Sequence, residues 1–161
     1  MILYVLRHAI AEDAIPGLSD SSRQVTEKGR RKARRVLSHA RRIGVRPSTI
    51  LTSPYLRATQ TAAIAREQLR LPIEPLVTRA LAPYVSVPSL WDEIRGHADA
   101  GDVLVSGHNP QLSWLVMWLL GGREDALWLK KSGLVTLDVG TAGPHPRAAL
   151  SWLLTPKSAG R

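Results

Sequence analysis

The chain has no cysteine, which excludes disulfides and thiolate metal sites. That absence is compatible with a cytoplasmic protein. It also lacks a long hydrophobic run. The longest, Leu112 to Leu120, is broken by Ser113 and is far too short to span a bilayer. No targeting segment is expected, because no basic stretch precedes the N-terminal apolar run and Arg7 cuts it short. Carboxylates are scarce: 13 Asp and Glu stand against 22 Lys and Arg, for a net charge of +9. The isoelectric point near 10.8 favours an anionic partner, whether a phosphate compound, an acidic protein or a nucleic acid. Repeats, low-complexity tracts and linkers are missing too. The 161 residues, 44% hydrophobic and 22% charged, therefore read as one soluble domain over 1–156 with a loose tail over 157–161.

The strongest local signal is Ile2-Leu3-Tyr4-Val5-Leu6-Arg7-His8, an apolar run that reads as a buried strand ending in an arginine and a histidine. A loop over 9–25 follows. Thr26 is a good N-cap, and Ala33, Val36, Leu37 and Ala40 then recur at helical spacing up to Gly44, with the other faces rich in arginine. Ser48 to Thr52 reads as a strand. Ser53-Pro54 reads as an N-cap with proline at the first helical position, opening a helix to about Leu69. Residues 73–77 suggest a short strand, 80–88 a loop and 89–98 a helix. Asp102 to Ser106 is an apolar strand, and Asn109 is expected to cap a helix, starting at Pro110, that is buried nearly all round. Two further strands, Leu134 to Val139 and Ala148 to Leu154, complete the pattern, and this terminal pair is expected to be antiparallel. Strands alternating with helices imply an α/β protein with a mostly parallel sheet.

Three strand-to-helix junctions stand out: Arg7-His8, Ser53 to Arg57, and Gly107 to Asn109. In a parallel sheet all three lie on one rim, where ligands bind. That placement gathers Arg7, His8, Arg57 and His108 from distant parts of the chain, beside helix N-termini that favour anions. Two arginines and two histidines suit a phosphoryl group. Taken singly, each residue also has an ordinary structural explanation, as a solvated arginine or a core histidine. The basic helix over 30–42 reads as a solvated face, with docking of an acidic phosphoprotein as the sharper alternative. The tryptophans at 91, 114, 118, 128 and 152 are expected in the core.

The stretches Leu6-Arg7-His8-Ala9, Leu18-Ser19-Asp20 leading to Thr26-Glu27-Lys28-Gly29, Ser53-Pro54-Tyr55-Leu56-Arg57-Ala58-Thr59-Gln60-Thr61-Ala62, and Gly107-His108-Asn109-Pro110 resemble the histidine phosphatase superfamily. The resemblance is nearest to its SixA-like phosphohistidine phosphatase branch and extends over most of the chain. It implies a three-layer α/β/α sandwich with a mostly parallel central sheet, the phosphoglycerate mutase-like fold. It also implies that His8 accepts the phosphoryl group while Arg7, Arg57 and His108 bind its oxygens, His108 as a protonated donor. No metal or other cofactor is expected, since the cationic side chains take the metal's place. The implied partner is a phosphorylated protein, such as a histidine-containing phosphotransfer domain in signal transduction, or else a small phosphate compound. Neither a membrane nor a nucleic acid is expected as partner.

Two departures matter. Many superfamily members carry a mid-chain glutamate or aspartate as general acid, whereas the corresponding stretch here, Arg79-Ala80-Leu81-Ala82-Pro83-Tyr84, has no carboxylate. Glu12, Asp13 and Asp20 are candidate substitutes. Ala9 replaces the family's glycine after the first histidine. The alternatives are a small-molecule phosphomonoesterase using the same residues and a non-catalytic phosphate- or nucleic-acid-binding domain. Retention of a nucleophile argues against the last.

Overall fold

The computed structural model describes residues 1–160. Its strands are β1 (Ile2–Arg7), β2 (Thr49–Thr52), β3 (Leu76–Val77), β4 (Val103–Gly107), β5 (Leu134–Thr141) and β6 (Arg147–Leu154). Its α-helices are α1 (Glu27–Arg42), α2 (Leu56–Leu69), α3 (Val87–Arg95) and α4 (Gln111–Leu120). The strands form one sheet in the order β3-β2-β4-β1-β5-β6. The first four are parallel, and β5 and β6 run antiparallel, as the sequence suggests.

Strand alternation builds two cores. Leu3 and Val5 of β1 join Val103 and Val105 of β4 against α3 and α4. Tyr4 and Leu6, with Leu104, face α1 and α2 on the other side. Successive residues of a strand point to opposite faces, so apolar runs like these need cover on both. The result is the expected three-layer α/β/α sandwich. No helix among the described residues is long and apolar enough to cross a membrane.

The loop after His8 is pinned to the start of α1. The Thr26 backbone N–H and hydroxyl both donate to the Ile10 carbonyl, at 2.9 and 3.2 Å. The Thr26 hydroxyl oxygen also accepts from Gly29 N at 3.0 Å, as an N-cap should. A Cβ at Gly29 would collide with the Ile10 carbonyl oxygen, so this close approach requires glycine.

Several local expectations need correction. Helix α2 starts at Leu56 with Tyr55 as N-cap, so Ser53 and Pro54 precede it. Asn109 does not cap α4; its Nδ2 donates to the Leu129 carbonyl, and its Oδ1 accepts from Ser113 Oγ. Of the tryptophans, Trp91 is buried, but Trp114, Trp118 and Trp128 are 39%, 37% and 59% exposed. Helix α4 is therefore not buried all round. The short strand over 73–77 shrinks to β3. At the C-terminal end, Ala159 N donates to Thr155 O at 2.9 Å and Ala159 is buried, while position 161 lies outside the described residues.

Candidate active site

The sheet order explains how the site assembles. Strand β4 lies between β1 and β2, so its C-terminal end sits between theirs. His8 N donates to the Gly107 carbonyl at 2.9 Å, and Ser53 N to the Ser106 carbonyl at 3.0 Å. These bonds extend the parallel ladders by one residue and hold the three junctions side by side. The four residues singled out from the sequence, Arg7, His8, Arg57 and His108, line one cavity of about 520 Å³.

His8 is 6% exposed and its ring is fixed. Nδ1 lies 2.7 Å from the Ala9 carbonyl oxygen, which can only accept, so Nδ1 carries the proton. Nε2 is left with a lone pair, which accepts from Arg57 Nε at 3.4 Å. Ala9 is held in turn, its N–H donating to Thr61 Oγ1 at 3.0 Å while that hydroxyl donates to the Arg57 carbonyl at 2.7 Å. A single threonine on α2 thus ties the histidine segment to the arginine segment.

Arg57 is buried in the first turn of α2. Its Nη1 donates to the Asp20 carbonyl at 2.7 Å and its Nη2 to Asp20 Oδ2 at 2.9 Å. Arg7 donates through Nη1 to the Leu129 carbonyl at 2.7 Å and lies 5.8 Å from the centre of the Trp128 ring. Its buried Nε has no partner. His108 stands with its ring centroid 5.1 Å from that of His8, and its Nε2 lies 2.7 Å from Ser53 Oγ.

Burial, first, pushes both histidines down to about 3, and for each the nearby arginines lower the value further. Both rings are therefore neutral at pH 7. For His8 this suits a nucleophile. For His108 it corrects the expectation of a standing protonated donor: a proton would arrive with the negative charge of a bound phosphoryl group.

An acid-stability prediction follows. An unfolded imidazole binds its proton near pH 6.5, whereas these two bind theirs only near 3. Between those values the unfolded state holds more protons, so stability is lost as pH falls. From pH 6.5 to 5 each ring should cost about 2 kcal/mol, at roughly 1.4 kcal/mol per unit. Thermal melts across this range should show His108→Gln losing less Tm than the parent on acidification. Parallel curves would refute the assignment.

Asp20 lines the cavity; Glu12 and Asp13 are exposed and do not. Burial alone would raise the Asp20 carboxyl, but the hydrogen bond and charge of Arg57, and then Arg23, hold it below the usual carboxylate range. An ionised Asp20 has no proton to give, and Glu12 and Asp13 stand outside the cavity, so none of the three candidates serves as a ready general acid. The stretch where other members carry the acid does wall the cavity, through Pro83 and Tyr84. It is anchored by Gln111, whose Nε2 donates to the Ala80 and Val85 carbonyls at 2.9 and 2.8 Å.

Sequence reasoning missed Ser53 as a partner of His108, Arg23 as a second cation on Asp20 (2.8 Å), and Trp128 beside Arg7. Only the Asp20–Arg23 spacing of three residues offered a local signal. Among the described residues, no three His, Cys, Asp or Glu side chains cluster so as to hold a metal ion.

Known proteins resemble this chain in sequence and in fold. A family model described as the histidine phosphatase superfamily (branch 1) matches residues 3–78. An uncharacterized protein of Picosynechococcus sp. is 35% identical over 162 residues, covering 98% of each chain. The phosphohistidine phosphatase SixA of Escherichia coli is 28% identical over 159 residues, covering 97% of this chain and 94% of that protein. Among solved structures, the protein histidine phosphatase SixA complexed with tungstate superposes with a TM-score of 0.85 at 26% identity, covering 98% of both chains.

Proposed function

Because this chain belongs to the histidine phosphatase superfamily and is a phosphatase by that kinship, we propose that it hydrolyses phosphohistidine on a protein without a metal, through a phosphoryl intermediate on His8. The observation that carries this reading is the oriented pair at the centre of the site. His8 Nε2 is unprotonated, its Nδ1–H is committed to the Ala9 carbonyl, and Arg57 lies 3.4 Å from the lone pair.

In the first step the Nε2 lone pair forms a bond to phosphorus while the bond from phosphorus to the substrate's imidazole nitrogen breaks. The leaving nitrogen takes that electron pair. Arg57 and Arg7 take up the charge on the equatorial oxygens through guanidinium forks, and His108 supports them from the end of β4. Such preorganised charge supplies most of the acceleration in phosphoryl transfer. In the second step water attacks phosphorus, the P–Nε2 bond breaks, its electrons return to His8, and inorganic phosphate leaves as H2PO4− carrying both protons of the water.

The missing acid favours this substrate class. An alkoxide leaving group needs a proton in the transition state, and losing that help costs roughly 10²–10⁴-fold. An imidazole leaving group can already carry a proton on its other nitrogen. The relatives named as phosphohistidine phosphatases support the same choice. The test is the ratio of kcat/KM for a phosphohistidine peptide to that for an alkyl phosphomonoester, expected at about 10² or more. Equal or faster ester turnover would sink the reading and favour a small-molecule phosphomonoesterase.

A further inference from the structure

A second groove, of about 660 Å³, opens beside the catalytic cavity and shares Arg7 as a wall. Its floor is apolar: Ile10, Trp128 and Pro156. Lys32, Lys130, Lys131 and Lys157 stand around it, and among the described residues no carboxylate lines it. Among the described residues, none of these lysines makes an ion pair. The lysines come from the middle of α1, the loop before β5 and the C-terminal end, so folding rather than a local charge run brings them together.

The groove is continuous with the site in structure as well as in space. Trp128 lies against the Arg7 guanidinium, and the next residue, Leu129, accepts the Arg7 hydrogen bond through its carbonyl. The segment that positions a phosphoryl-binding arginine is thus the segment that walls the groove. The two share Arg7 and Lys131, so a ligand long enough to leave the cavity on that side runs into the groove.

We propose that this groove docks the polypeptide flanking the phosphorylated histidine, and that the docked segment is amphipathic and acidic. Its carboxylates would meet the lysine rim, and its apolar side chains would cover Trp128, Ile10 and Pro156. The mixture decides the occupant. A single-stranded nucleic acid would use successive aromatic platforms, and the groove offers only Trp128. An amphipathic segment laid into a groove uses an apolar floor with a charged edge. The basic helix α1 contributes through Lys32 alone. Arg30 pairs with Glu27, Arg34 approaches Glu67, and Arg41 and Arg42 border a separate cleft with Arg46 and Arg70.

This inference rests on the protein-phosphatase reading, and its test separates the two. The probes are a phosphohistidine peptide flanked by Glu and Leu, the same peptide with Gln for Glu, and a small phosphoramidate. The wild-type protein should favour the acidic peptide by about 10-fold in kcat/KM at low salt, with the preference shrinking as salt rises. The K32E/K130E/K157E variant should abolish that preference and leave the phosphoramidate rate unchanged. Binding of the unphosphorylated acidic peptide, followed by fluorescence anisotropy, should weaken by a similar factor in the variant. If no phosphohistidine compound is turned over but this charge-dependent binding persists, the functional reading fails and the groove stands. Equal rates for the two peptides, or an unchanged preference in the variant, would overturn the groove. So would tighter binding of a single-stranded oligonucleotide than of the acidic peptide.

Discussion

Replacing His8 with alanine should abolish turnover, by roughly 10⁴-fold or more, because it removes the atom we propose takes the phosphoryl group. The expectation comes from the ring's surroundings. The Ala9 carbonyl fixes the tautomer, Thr61 fixes Ala9, and burial keeps the imidazole neutral, so Nε2 carries the lone pair. His108 is tied through Nε2 to Ser53, and its unpartnered Nδ1 is buried away from solvent, so label on His108 is not expected. A rapid quench with labelled phosphohistidine peptide should catch label on His8 of the wild-type protein in an acid-labile, base-stable form. The variant should show no such label. Circular dichroism and the thermal melt of the variant serve as the folding control. Activity within tenfold of wild type, or label on another residue, would end the covalent mechanism.

Much of this arrangement was legible in the chain, and the illegible part has a common cause. Apolar runs such as Ile2 to Leu6 and Val103 to Val105 announce strands buried on both faces, and a parallel sheet then dictates that their C-terminal ends share a rim. Thr26 could be read locally because capping acts within one helical turn, whereas the need for glycine at 29 comes from Ile10, far back in the chain. Ser53 illustrates the opposite case. A serine before a proline looks like an N-cap, yet its hydroxyl meets a histidine 55 positions away, and no local pattern carries that information. Asn109 likewise resembles a cap and instead ties α4 to Leu129, 20 residues on. Trp128 resembles core by composition, but Arg7, far away in sequence, gives it a reason to stay at the surface. The failures therefore cluster around the site. There, polar side chains serve distant partners rather than their own helix.

Arg57→Ala should be the most damaging change after loss of His8, lowering kcat/KM by about 10²–10³-fold, the usual effect of removing one preorganised donor to a developing charge. Two losses combine in it. The guanidinium 3.4 Å from His8 Nε2 is gone, so the equatorial oxygens of the proposed phosphoryl group lose a fork. Asp20 also loses one of the two arginines paired with its carboxylate, leaving a less compensated negative charge at the wall of the cavity proposed to hold the phosphoryl group. Arg57→Lys should recover little, because an ammonium cannot at once hold the Asp20 carbonyl, the Asp20 carboxylate and the phosphoryl oxygens. The second loss can be isolated. Asp20→Asn placed in the Arg57→Ala background should restore activity several-fold, whereas Asp20→Asn alone should slow the enzyme by loosening Arg57. That opposite sign is the signature of a coupled pair in a double-mutant cycle. If the two effects simply add, Asp20 has no part in setting the charge of the site, and Arg57 acts on the phosphoryl group alone.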